Sequence, residues 1–128
     1  MTLSTISNYL FVFMGAAFGG VFRYWLSDIA QKHFPPYFPY GTLTVNVVGS
    51  FFLGVIIFYF DQRALISPPM KLFLTIGFCG GFTTFSTFSY ETLALFNTAQ
   101  FFLAFTNIFL NVIFSLAGIT IAYWLFKI

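Results

Sequence analysis

Charged residues are scarce in this sequence of 128 residues, which contains only five Lys or Arg and three Asp or Glu. About a quarter of the residues in an ordinary soluble domain are charged, whereas here the fraction is 6%. Because 59% of the residues are hydrophobic, so few charges cannot hydrate the surface of a small soluble monomer. The composition excludes a water-soluble monomer, and also a disordered chain, which needs low hydrophobicity and high charge.

Cysteine is nearly absent too, since Cys79 is the single one in the sequence. One cysteine excludes an intrachain disulfide and any cysteine-based metal cluster. A net charge of +2 is too small for a nucleic-acid-binding surface, so no nucleic-acid partner is expected. The acid–base and nucleophile groupings that mark an enzyme are missing as well. The first ten residues hold no Lys or Arg, so a cleaved signal peptide is not expected.

What the sequence has instead is long apolar stretches and 22 phenylalanines, with a total aromatic fraction of 24%. A membrane-spanning helix needs about 20 mostly apolar residues. Four such stretches lie at residues 9–29, 41–60, 72–95 and 101–126. Their connections are short, so the sequence predicts an all-α integral membrane protein in which residues 1–128 form a single four-helix transmembrane domain.

The few cations are divided almost evenly between the two predicted sides of the membrane. Arg63, Lys71 and Lys127 fall on the side of the termini, whereas Lys32 falls on the other side, with Arg23 if its side chain extends outward. A bias of one or two charges leaves two interpretations open. Either the termini are cytoplasmic, or the chain inserts in both orientations and pairs antiparallel with a second copy.

Polar and small residues interrupt spans one and two. Gly15 and Gly19 have the spacing that lets another helix approach closely, and helix packing is the simpler explanation for them. Arg23 either anchors at the membrane interface or pairs with a carboxylate such as Glu91. Span two places four residues on one helical face, where the amide of Asn46 serves as an interhelical hydrogen bond or as a donor lining a polar pathway. These four residues are Thr42, Asn46, Gly49 and Ser50.

Span three contains three glycines and five Ser or Thr residues within residues 77–89. Such residues are poor helix formers, so the segment predicts either a packing kink or a third helix that is broken at mid-membrane. A break frees backbone groups, which a membrane tolerates only where protein, water or an ion satisfies them. Freed carbonyls are good ligands for a hard cation such as sodium.

Span four carries a polar stripe at Asn107, Asn111 and Ser115. A proton-driven transporter normally needs a titratable group in its path, so neutral amides and hydroxyls favour a passive ion path. Phe85 and Phe88 share a face with the predicted break. The edge of an aromatic ring is positive, so these rings could stabilise a small anion without binding it too tightly to conduct.

Two motifs together resemble the CrcB/Fluc fluoride channels: Gly-Thr-Leu-x-Val-Asn-x-x-Gly at residues 41–49 and Gly-Phe-Cys-Gly-Gly-Phe-Thr-Thr-Phe-Ser-Thr-Phe at residues 77–88. The resemblance covers essentially the whole chain. It implies an antiparallel, dual-topology homodimer with two fluoride pores in the lipid bilayer of the inner (plasma) membrane. The implied role is passive efflux of cytoplasmic fluoride, which protects enzymes that fluoride inhibits.

The resemblance also implies roles for individual residues. Phe85 and Phe88 would present ring edges to fluoride, and Asn46 would be the pore amide. Gly80 and Thr83 would offer backbone carbonyls to one central structural sodium ion. The remaining fluoride pathway would be completed by Ser86, Thr87, Asn111 and Ser115.

Two other functions remain as alternatives. A small dual-topology exporter of cationic drugs would need a carboxylate in the middle of span one, which has none. A non-transporting accessory subunit would explain the glycines and phenylalanines as packing residues, but not the polar break opposite asparagines.

Overall fold

A computed structural model of the chain describes residues 1–127. These residues form only helices, turns and loops. Helix α1 is Leu3–His33. Helix α2 is Tyr40–Val55 and continues as a π-helical stretch, Ile56–Asp61. Helix α3, residues 68–82, consists of Pro68–Leu72, a π-helical Phe73–Cys79 and a short Gly80–Phe82. Helices α4 and α5 are Ser86–Asn97 and Phe101–Phe126.

Capping side chains and prolines mark where the helices begin and end. The side chain of Thr2 accepts a hydrogen bond from the Thr5 amide at 3.2 Å and caps α1. Prolines at positions 35 and 36 cannot continue that helix. Ser67 caps α3 in the same way, and Pro68 occupies the first helical position, where its missing N–H is not needed.

Four helical segments are long and apolar enough to cross a membrane: α1, α2 with its π-helical extension, α3 and α4 taken together, and α5. These helices make the chain a multi-pass membrane protein. Helix α1 begins six residues before the expected span at residues 9–29 and ends four residues after it. Since helix ends can project beyond the hydrocarbon layer, a helix of this kind contains its span rather than coinciding with it.

Helices α1 and α3 pack backbone against backbone along a glycine seam, which we define as Gly15, Gly19, Gly77 and Gly81. A Cβ atom added at Gly19 would collide with the carbonyl of Phe78, and one at Gly81 would lie 2.6 Å from the Ala16 carbonyl. The prediction that Gly15 and Gly19 serve helix packing is confirmed, because both are buried against α3.

Helix α2 packs mainly against α5 and also contacts α1. Val45, Ala104 and Ala122 are completely buried in this part of the bundle. Large apolar side chains cover the outside instead, as Phe13, Phe102 and Trp124 illustrate. A bundle with small buried residues and large exposed apolar ones is expected for a protein whose solvent is lipid.

Candidate functional site

The helix is interrupted between α3 and α4, where Thr83 adopts an extended conformation with φ −88° and ψ 162°. The side-chain amide of Asn46 on α2 stabilises this interruption by binding both backbone polar groups of Thr84. Its Nδ2 donates to the Thr84 carbonyl at 3.0 Å, and its Oδ1 accepts from the Thr84 N–H at 2.8 Å. Gly49, one helical turn along α2, allows this approach, because a Cβ atom there would collide with the Thr83 side chain.

These hydrogen bonds release two backbone carbonyls. A continuous helix would direct the Thr84 N–H to Gly80 and the Thr87 N–H to Thr83. The Thr84 N–H is instead bonded to Asn46, and the Thr87 N–H is bonded to Thr84 Oγ1 at 3.1 Å. The carbonyls of Gly80 and Thr83, the two that the sequence analysis singled out, have therefore lost their helical donors.

A groove of about 580 Å³ opens beside the interruption, between α2, α3, α4 and α5. Its lining contains seven of the nine residues selected from the sequence: Asn46, Gly80, Thr83, Phe85, Phe88, Asn111 and Ser115. Ser86 and Thr87 do not line it. They follow Phe85 on α4 at steps of about 100°, which turns them away from the face that Phe85 and Phe88 share.

The two phenylalanines contact each other at the groove, with ring centroids 5.4 Å apart and a tilt of 53° between the rings. Phe88 is only 8% exposed, whereas Phe85 is 78% exposed. One ring is therefore set into the bundle and the other projects from it. A single chain leaves the groove open on the side of Phe85.

No Asp, Glu, Lys, Arg or His lies among the groove-lining residues in the part of the chain that the structure describes. Within the same residues, no three or more His, Cys, Asp or Glu side chains are grouped as a metal site. The polar groups in the groove are amides, hydroxyls and backbone carbonyls, beside the thiol of Cys79. Such a surface can bind ions weakly without fixed charge.

Asparagines on α5 continue the polar surface behind the groove. Asn46 Nδ2 donates to Asn111 Oδ1 at 2.9 Å, and Asn111 Nδ2 donates to Asn107 Oδ1, also at 2.9 Å. The predicted stripe on span four therefore lies against α2, which places Asn111 at the groove and Asn107 behind it.

Residues 10–123 match the family model described as CrcB-like protein, Camphor Resistance (CrcB). The chain belongs to the CrcB family. A relative from Clostridium novyi is 46% identical over 114 residues, 89% of each chain. A relative from Clostridium perfringens is 44% identical over 119 residues, 93% of each chain. A third, from Thermosipho melanesiensis, is 46% identical over 95 residues, 73% of this chain and 76% of the relative.

All three relatives are named fluoride-specific ion channel FluC. The resemblance read from the two motifs is thus confirmed at the level of the family. Relatives with this name are ion channels, and the family is not an enzyme family.

Of the two alternatives for Arg23, pairing with Glu91 is wrong. Arg23 Nε donates to the Gly81 carbonyl at 3.0 Å. Glu91 Oε1 accepts from Thr42 Oγ1 at 2.8 Å instead. The arginine stays half-buried because it satisfies a carbonyl close to the interruption.

Sequence reasoning missed two residues that shape the site. Thr84 supplies the peptide groups that Asn46 binds and the hydroxyl that receives the Thr87 N–H. Ser50 lines the groove, as Ser115 does. The position of Ser50 on the polar face of α2 was a usable signal, whereas one threonine among several in residues 83–87 gave none.

Proposed function

We propose that the chain is a fluoride-selective ion channel that passes fluoride passively along the groove. The observation that carries this proposal is that a member of the CrcB family has most of its motif residues gathered on one uncharged groove, where amides and hydroxyls lie among apolar side chains. Fluoride is a small, strongly hydrogen-bonding anion, which hydroxyl and amide donors suit. The positive edges of Phe85 and Phe88 would replace the fixed cations that hold an anion too tightly for rapid conduction.

In this proposal, fluoride contacts Asn46, Phe85, Phe88, Asn111 and Ser115 along the groove. Ser86 and Thr87 would contribute from α4 outside the groove of this chain, at a face that a second chain completes. The lack of Asp, Glu, Lys, Arg and His among the lining residues that the structure describes supports passive flow over proton coupling. It also disfavours an exporter of cationic drugs, which needs a carboxylate in its path.

The test is fluoride release from liposomes that contain the purified protein, measured with a fluoride electrode while an ionophore for potassium balances the charge. Rapid fluoride release with very slow chloride release is expected. Protein-free liposomes are the control. Chloride release at a comparable rate would contradict a fluoride-selective path.

We infer that two chains assemble as an antiparallel homodimer. The high exposure of Phe85 and the open side of the groove support a second copy, since one chain does not enclose the path. The nearly even division of the cations supports insertion in both orientations. A tag at the N-terminus should react with a membrane-impermeant label from either face of the membrane, and labelling from one face alone would refute dual topology.

We also propose that the carbonyls of Gly80 and Thr83 hold one structural sodium ion where the two chains meet. Both carbonyls have lost their helical donors, and a hard cation would satisfy them with oxygen ligands. The ion would fix the interruption between α3 and α4 at mid-membrane. Sodium chloride should raise the thermal unfolding midpoint of the purified protein above its value in choline chloride, and equal midpoints would contradict the site.

The physiological role proposed is efflux of cytoplasmic fluoride across the inner (plasma) membrane. A passive channel drains an anion from a cell whose interior is electrically negative. Expression of the chain in fluoride-sensitive cells should restore growth on fluoride-containing medium. Failure to restore growth by a protein that conducts in liposomes would argue against this role.

A further inference from the structure

A second groove, which has no part in the proposed ion path, lies between α1, α2 and α3 and encloses about 550 Å³. Among the described residues that line it, Trp25 alone has a polar side-chain atom. Along α2 and its extension the lining runs from Val48 to Phe60, a distance of about 18 Å at the rise of a helix. One leaflet of the hydrocarbon layer is about 15 Å deep, so the groove is long enough for one lipid acyl chain.

This apolar groove opens on a different side of the bundle from the polar groove. On α3, Phe78 lines the apolar groove, whereas Gly80, two residues later and about 200° around the helix, lines the polar groove. On α2, Val48 and Asn46 are divided between the two grooves in the same way. The second chain of the proposed dimer meets this one at the carbonyls of Gly80 and Thr83, so it would leave the apolar groove facing lipid.

A tight turn lies at the end of this groove, on the side of the chain termini. Phe60 and Ile66 line the groove at the base of the turn. The Leu65 N–H donates to the Phe60 carbonyl and the Ala64 N–H donates to the Asp61 carbonyl, both at 2.9 Å, which ends the helix in a Schellman motif. Ala64 has φ 54°, in the left-handed region where glycine is usual. The turn therefore keeps its shape at the cost of a strained alanine.

Arg63 lies at the tip of this turn, and part of its guanidinium is unpaired. Its Nη1 donates to the carbonyls of Phe58 and Tyr59, at 2.8 Å and 3.3 Å. Its Nε and Nη2 donate to no group among residues 1–127, and these two nitrogens form the fork that binds a phosphate bidentately. Nearby Lys71 is paired with Asp61 at 2.8 Å, whereas Arg63 has no carboxylate partner among the same residues.

We propose that the apolar groove and Arg63 together form a binding site for an anionic phospholipid. The phosphate binds the unpaired fork of Arg63, and one acyl chain lies along residues 48–60. The apolar lining selects a hydrocarbon chain, and the uncompensated guanidinium at the membrane surface selects a headgroup with net negative charge, such as phosphatidylglycerol, over a zwitterionic one. The site is separate from the proposed ion path, so it does not depend on fluoride conduction.

The experiment measures the quenching of Trp25 fluorescence by phospholipids that are brominated in the acyl chain. Trp25 lines the groove, and Trp124→Phe removes the other tryptophan of the sequence, so the fluorescence reports on the groove alone. The protein is placed in phosphatidylcholine vesicles with a small fraction of brominated lipid. Brominated phosphatidylglycerol should bind with about fivefold higher affinity than brominated phosphatidylcholine, as expected for one cation near the membrane surface.

Two variants test the two parts of the site, each with a matched control. Arg63→Gln should abolish the preference for phosphatidylglycerol. Lys127→Gln removes the same charge on the same side of the membrane and should keep the preference, because Lys127 lies over the ring of Tyr123, which does not line the groove. Val48→Phe fills the groove and should reduce quenching by both lipids, whereas Val21→Phe, at an exposed position outside the groove, should not.

Three results would overturn the inference. Equal quenching by the two lipids, or a preference that survives Arg63→Gln, would show ordinary solvation by lipid. Little quenching by either lipid when Arg63 and Val48 are unchanged would show that a second copy of the chain covers the groove. Should Val48→Phe fail to fold, Arg63→Gln decides the question, since it changes only an exposed side chain. None of these measurements uses fluoride, so the proposed function is tested separately.

Discussion

The two parts of the third span, α3 before the interruption and α4 after it, are held by opposite kinds of contact. Helix α3 lies against α1 along the glycine seam, where backbone meets backbone and a single methyl group would collide. Helix α4 is bound to α2 and α5 by side-chain hydrogen bonds that Glu91 accepts from Thr42 and Thr92 accepts from Asn107. The first contact is mainly close backbone packing, with one hydrogen bond from Arg23 Nε to the Gly81 carbonyl, whereas the second consists of side-chain hydrogen bonds.

We therefore expect stability and ion passage to depend on separate surfaces of one span. In lipid, helices associate through close packing because no hydrophobic force drives them together. The glycine seam supplies that packing for α3. The hydrogen-bonded side is free to keep donors and released carbonyls at the groove, so substitutions on the two sides should have different consequences.

The largest effect is expected from Gly19→Ala, which places a Cβ atom against the Phe78 carbonyl. Overpacking of this kind costs about 1–3 kcal/mol, and a backbone carbonyl cannot move aside as a side-chain end can. The thermal unfolding midpoint and the yield of monodisperse protein should both fall sharply. Gly20→Ala is the matched control, because nothing lies within 4 Å of a Cβ atom there. Equal stability of the two variants would refute the importance of the seam.

An intermediate effect is expected on the polar side from Phe85→Ile and from Phe88→Ile. Each removes a ring edge from the groove, and an aromatic contribution of ordinary size corresponds to about tenfold slower fluoride release. The unfolding midpoint should change less than in Gly19→Ala. Phe102→Ile, at an exposed position outside the groove, should retain full release. Undiminished release in both groove variants would remove these rings from the pathway.

Whether a feature of the fold or of the site could be predicted from the sequence depends on how far apart the contacting residues lie along the chain. The polar face of α2 follows from helical periodicity, and the local glycine, serine and threonine content predicts either a kink or a break in the third span. The partner of Asn46 lies 38 residues away and that of Arg23 lies 58 residues away. Those pairings depend on how each helix is rotated in the bundle, which a single sequence does not specify.

Ser86 and Thr87 illustrate the same limit on a smaller scale. Their residue types suit an anion path as well as those of Ser115 and Asn111 do. The start of α4 at Ser86 sets the helical phase, and only Phe85 and Phe88 then face the groove of this chain. Residue type predicted the kind of lining, and helical phase selected its members.

The smallest effect is expected from Ser115→Ala, which removes one hydroxyl from the groove while leaving its shape. Loss of a single neutral hydrogen bond should slow fluoride release by about threefold and leave the unfolding midpoint unchanged. Ser7→Ala, on α1 and away from the groove, is the control. A change in stability without a change in release would assign Ser115 to packing. It would also contradict the expectation that substitutions at the groove affect release rather than stability.

The central claim, a fluoride-selective conductance, is tested most directly by the reversal potential of the unsubstituted protein in a bilayer with opposed gradients of fluoride and chloride. The account predicts a reversal potential close to the equilibrium potential of fluoride. A reversal potential close to that of chloride, or midway between the two, would contradict it.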